Sequence, residues 1–89
     1  MNKGYLLQPV IDKGLSLMLK GNQLSSDMLS IWYRYADSIM RLACTDSKNM
    51  IYYNQFLNLE ITLNLNRNID PIQQLHQMLQ FLIQIQARL

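Results

Sequence analysis

The sequence predicts an all-α fold, a four-helix bundle-like single domain spanning residues 1–89 with short capped turns. Three observations predict it. Apolar residues recur at helical spacing along most of the chain, and helix-start and helix-stop residues divide it into four such stretches. Only 16% of the residues are charged against 49% hydrophobic, a balance below the roughly 25% charge of an average soluble domain and unlike that of a disordered chain.

The segment Ser26 to Cys44 organises the rest. On a helical wheel Met28, Trp32, Ala36, Ile39 and Ala43 fall in line, flanked by Leu29, Ile31, Tyr33, Tyr35, Met40 and Leu42. Ser30, Arg34, Asp37, Ser38 and Arg41 form the polar stripe, with spacings suited to ion pairs one turn apart. An apolar arc wider than half the circumference calls for contact on more than one side, since leaving such area in water costs roughly 25 cal/mol per Å². This is read as the central helix, with Trp32 at the centre of the core and Tyr33 and Tyr35 as its edges.

Before it, Leu6 to Lys20 reads as a helix with Pro9 in the first turn, where a missing N–H is tolerated. Leu7, Val10, Ile11, Gly14, Leu17 and Met18 share its apolar face. Gly14 costs about 1 kcal/mol relative to Ala, so it either permits a close helix approach or has no structural role. Gly21 and Asn22 supply a left-handed stop, and Ser25, Ser26 and Asp27 the next start. Thr45, Asp46 and Ser47 are a further capping cluster, placing a third helix start near Ser47 or Lys48.

The third helix carries two apolar stripes, Met50-Tyr53-Leu57-Ile61 and Tyr52-Phe56-Leu59-Leu63, with Glu60 between them. Two stripes suit a helix that bridges two packing partners. A competing pattern overlaps it: residues 57–66, LNLEITLNLN, alternate apolar and polar as a half-buried strand does. A strand here has no second strand to pair with except the same segment of another copy, and Asn is depleted in strands. The expectation is a helix to about Leu65, with an intermolecular strand as the competing outcome. Asn66 to Asp70 reads as a turn, and Asp70-Pro71 as the start of a last helix running to near Leu89. Its apolar face is Ile72, Leu75, Met78, Leu79, Leu82, Ile85 and Leu89.

The chemistry-bearing residues are sparse. Eight Lys and Arg against six Asp and Glu give a net charge of +2, scattered singly rather than as the basic patch of a nucleic-acid binder. Cys44 is the single cysteine, so no intramolecular disulfide forms, and no Cys/His set has metal-ligand spacing. His76 has no partner constellation for catalysis, and there is no glycine-rich phosphate loop. No catalytic residue, cofactor or metal is therefore expected, and the protein is read as not an enzyme. The N-terminus lacks a signal-like apolar region and no stretch reaches a membrane span's length, which points to a cytoplasmic protein.

Two candidate contact surfaces stand out. Gln73, Gln77, Gln80 and Gln84 line the polar face of the last helix with Phe81 at its boundary, where charges would be usual. This is either a plain solvated face or a contact surface on which amides bond without the desolvation cost of charge; with Tyr33 and Tyr35 it forms the candidate interface. Arg34, Arg41 and Lys48 near Tyr33, Tyr35, Tyr52 and Tyr53 form a candidate anion contact, with ordinary core aromatics and a solvated stripe as the simpler account.

IDKG at 11–14, SSDMLSIWYRYADSIMRL, YYNQFL and DPIQQL together set out an apolar helix, a Trp-bearing helix, an aromatic helix and an amphipathic closing helix. This layout resembles small helical accessory domains of bacterial and phage-encoded defence-associated proteins. The likeness covers most of the chain and is one of layout. It implies a protein-interaction or oligomerisation role in a prokaryotic or viral setting and carries over no catalytic residue. The expected function is a non-catalytic interaction module, acting as a homo-oligomer or on a larger protein partner. The alternatives are a small nucleic-acid or nucleotide binder and a small inhibitor of a larger enzyme.

Overall fold

Four helices form among the described residues, and the predicted start signals hold for three of them, at Pro9, Ser25 and Pro71. A computed structural model of the chain describes residues 3–66 and 68–89. Met1 and Asn2, and Arg67 within the predicted Asn66–Asp70 turn, lie outside the described residues. A 3-10 turn over Gly4–Leu7 leads into α1, Gln8–Met18, with Pro9 in its first turn. Gly21 takes a φ of +53°, the left-handed conformation that side chains disfavour, and turns the chain away from α1. Ser25 then caps α2, Ser26–Ala43, its hydroxyl accepting from the Met28 N–H at 3.2 Å.

The third helix, α3, spans Met50–Leu65 and begins two to three residues later than the capping cluster implied. Asp46 uses its backbone there: its carbonyl accepts from the N–H groups of Asn49 and Met50. Residues 57–65 are helical throughout, and no strand occurs among the described residues. The last helix, α4, spans Pro71–Gln86. Asp70 opens it in an extended conformation, and its carbonyl accepts from Gln73 and Gln74 while its side chain makes no cap bond.

The contacts run antiparallel between neighbours. On α1 and α4, Gln8 meets Gln86 and Gly14 meets Leu79; on α2 and α3, Arg41 meets Tyr53. The chain ends close on each other, with the Lys3 N–H donating to the Leu89 carbonyl at 2.9 Å. One hydrophobic cluster fills the interior, drawing Leu7, Val10 and Leu17 from the first segment, Trp32 and Met40 from α2, Phe56 and Leu63 from α3, and Leu75 to Ile85 from α4.

Gly14 belongs to the close-approach reading. A Cβ there would lie 2.6 Å from Leu79 and 2.9 Å from the rigid ring of Trp32. A helical side chain covers the turn before it, so the absence of one at Gly14 also leaves the Val10 carbonyl open. The Trp32 indole donates to that carbonyl at 3.0 Å inside the core, which satisfies the one polar atom of a side chain otherwise buried among apolar neighbours. Trp32 thus ties α2 to α1 at the point where α1 comes nearest.

Candidate functional site

The residues singled out by the sequence do not converge on one surface. Tyr33 is 3% exposed, so it is a core residue and not an edge. It faces α3: burial and then the Glu60 carboxylate push its phenol above the ordinary range, and its oxygen has no hydrogen-bond partner among the described residues. Tyr35 stands exposed on the α1 side of α2. Gln73, Gln77, Gln80 and Gln84 are all exposed along α4, with Phe81 half-buried beside them. Gln73 and Gln77 border a shallow depression with Met18, Ile72 and His76, away from the position of Tyr35.

The candidate anion contact is also reshaped. Arg41 is exposed, yet its guanidinium Nε donates to the Tyr53 hydroxyl at 2.9 Å and lies 3.1 Å from Asp37 Oδ2. Tyr53 in turn donates to Asp37 Oδ1 at 2.8 Å. That hydroxyl and the Asp37 carboxylate hold the Arg41 cation above its ordinary pKa. The triad fastens α2 to α3, and leaves Arg34 and Lys48 as the cations of the candidate set outside it, both exposed. Glu60 stands nearby, its carboxyl raised by burial and secondarily by the Asp37 charge. Burial likewise raises the Cys44 thiol, against smaller opposite effects of a Tyr53 backbone hydrogen bond and the Lys3 ammonium. A thiol raised in this way is a poor nucleophile.

Two surfaces that the sequence did not single out are better formed. The first is a groove of about 590 Å³ between α1 and α2. Pro9, Lys13 and Leu17 line it from α1, with Lys20 just beyond; Met28, Ile31, Trp32 and Tyr35 line it from α2. The volume is within the roughly 300–1,000 Å³ of ligand-sized clefts, and no carboxylate lines it among the described residues. Its signal in the sequence was the width of α2's apolar arc: Ile31, at 67% exposure, is the most exposed residue of that arc, with Met28 and Tyr35 exposed beside the same groove.

The second surface is the outer side of α3. Phe56 and Leu63 are buried, and Tyr52 and Leu59 are half-buried beside them, so one of the two predicted stripes faces the core. The other is split: its Tyr53 and Leu57 are half-buried against the core, and its ends, Met50 and Ile61, reach solvent. Met50, Ile51, Ile61 and Leu65 are exposed, Ile61 at 56% and Leu65 at 77%. The positions between them are Asn54, Gln55, Asn58 and Thr62, also exposed, so this face carries no charge. The outer face of α4 has similar chemistry in its glutamines, with Ile83 among them.

No protein-family model, curated protein or solved structure matches the chain. Among the described residues, no helix is long and apolar enough to cross a membrane, and no cluster of His, Cys, Asp and Glu is placed to hold a metal ion.

Proposed function

We propose that the protein is a non-catalytic interaction module that self-associates through the outer face of α3, with the glutamine face of α4 as a further contact. The observation that carries this is the chemistry of the α3 face. Large apolar side chains left in water favour association, and the polar groups between them are neutral. In a two-fold symmetric contact each residue meets the same patch of the partner, so like charges would oppose one another. Side-chain amides carry both donors and acceptors and are complementary to themselves. Met50, Ile61 and Leu65 interleaved with Asn54 and Asn58 therefore suit a second copy of the same face. The same surface also suits a larger protein partner, as the layout resemblance implies.

The reading predicts a species heavier than the 10.5 kDa chain in light scattering, with mass rising over a concentration series. A compact monomer at low micromolar concentration that also captures no partner in a pull-down contradicts it. Nucleic-acid or nucleotide binding has less support, because Arg41 is already engaged by Asp37 and Tyr53.

A further inference from the structure

The groove between α1 and α2 differs in kind from the neutral faces of α3 and α4. Its floor is apolar, and its charges among the described residues are Lys13 and Lys20. Both lysines are exposed, and neither side chain has a hydrogen bond or ion pair within the described chain. They line the groove seven positions apart, Lys13 from α1 and Lys20 from the turn just past its end, where Leu19 and Lys20 keep right-handed helical dihedrals, so a helical rise sets them roughly 10 Å apart.

We propose that this groove binds an amphipathic helix of another protein, seated by its apolar side chains on Leu17, Ile31, Trp32 and Tyr35, with two carboxylates two turns apart facing Lys13 and Lys20. This is helix-in-groove recognition, in which apolar anchors supply affinity and border charges set register and orientation. The spacing selects the occupant. An anionic amphiphile brings one head group and meets one lysine, whereas a helix with acids at i and i+7 meets both. No helix of a second copy of this chain meets both: its carboxylates are Asp12, Asp27, Asp37, Asp46, Glu60 and Asp70, no two of them seven apart. The partner is accordingly a different chain, and the groove stays free when α3 is covered.

The test uses three synthetic helical peptides with the same leucine anchors and Glu, Gln or Lys at two positions seven apart. Binding is read by anisotropy of the labelled peptide and by the emission of Trp32, the chain's single tryptophan. The wild type is expected to bind the Glu peptide about tenfold more tightly than the Gln peptide and to bind the Lys peptide most weakly, the scale of two moderate ion pairs. The double variant Lys13→Glu/Lys20→Glu reverses that order while keeping its helical circular dichroism. Equal affinity for all three peptides, or binding of none, overturns the proposal. So does binding of anionic vesicles or dodecanoate in place of the Glu peptide. Light scattering of the same wild-type sample separates the two readings, since a self-associating protein that ignores every peptide removes the groove assignment alone.

Discussion

The two halves of the molecule expose different chemistry. Up to Asn49 the chain carries most of its charges, with Lys13, Lys20, Arg34 and Arg41 exposed on or beside α1 and α2. From Met50 onward the charged residues are Glu60, Arg67, Asp70 and Arg88, and the exposed faces of α3 and α4 are made of amides and aliphatics. Both halves contribute to one core, so the difference is not one of folding. It concerns what each surface suits beside it: under the proposals above, the neutral half suits a copy of itself and the groove of the charged half a partner of opposite sign.

Substitutions can break this division, beginning with the largest effect. Phe56 and Ile61 stand on opposite sides of α3, one fully buried and the other exposed. Phe56→Ala should cost about 3–5 kcal/mol of stability in urea unfolding through the cavity it leaves, whereas Ile61→Ala should stay within about 0.5 kcal/mol under conditions that keep the chain monomeric. Equal losses at the two sites would mean that the outer stripe packs within the chain after all.

Gly14→Val is next, at about 1–3 kcal/mol, because the added atoms meet the Trp32 ring and Leu79. The same change should blue- or red-shift the emission of Trp32 by disturbing its bond to the Val10 carbonyl. An unchanged melting temperature would show that α1 does not need its close approach, and the groove it borders would lose its fixed shape.

The smallest expected effect is at Glu60, whose carboxyl is raised above its ordinary 4.5. As pH rises through that ordinary value the unfolded chain ionises while the folded chain still holds its proton, so the folded state binds more protons and stability falls. The loss is complete once pH passes the raised folded value. Glu60→Gln should abolish this slope and be more stable near neutral pH by under about 1 kcal/mol, a modest figure because the carboxylate is only half-buried. Thermal melts at pH 4 and pH 7 measure it, and an equal pH slope in wild type and variant would assign the effect to other groups.

Helix boundaries were legible where a residue acts through its own backbone or cap: Ser25 before α2, Gly21 after α1 and Pro71 at the start of α4. The alternation over residues 57–66 was ambiguous for a physical reason. Residues spaced by two on a helix advance by about 200°, so Leu57, Ile61 and Leu65 fall on one side and Leu59 and Leu63 on the opposite side. The pattern of a strand and that of a helix apolar on two opposite sides are then the same sequence. Leu63 went to the core, Leu57 and Leu59 to half-buried positions and Ile61 and Leu65 to the surface, an outcome the two stripes marked only in part.

The candidate site was less legible because adjacent positions can part company. Tyr33 and Tyr35 are two residues apart on α2, and which of them is buried depends on where α3 packs, a fact no local pattern encodes. Arg41 likewise reads as a free cation until Tyr53, twelve residues away, reaches it. The lysines of the groove gave no local signal, since Lys13 and Lys20 form a pair only once α2 supplies the apolar floor between them.

The central claim is that the neutral face of α3 is an association surface, and the mass of a double variant tests it most directly. Sedimentation and light scattering of the wild type and of Ile61→Glu/Leu65→Glu, over the same concentration series, should give a heavier species for the wild type. The variant should run as the 10.5 kDa chain with unchanged helix content, because like charges then face each other across the contact. Equal masses for the two proteins, whether both monomeric or both assembled, would contradict the account.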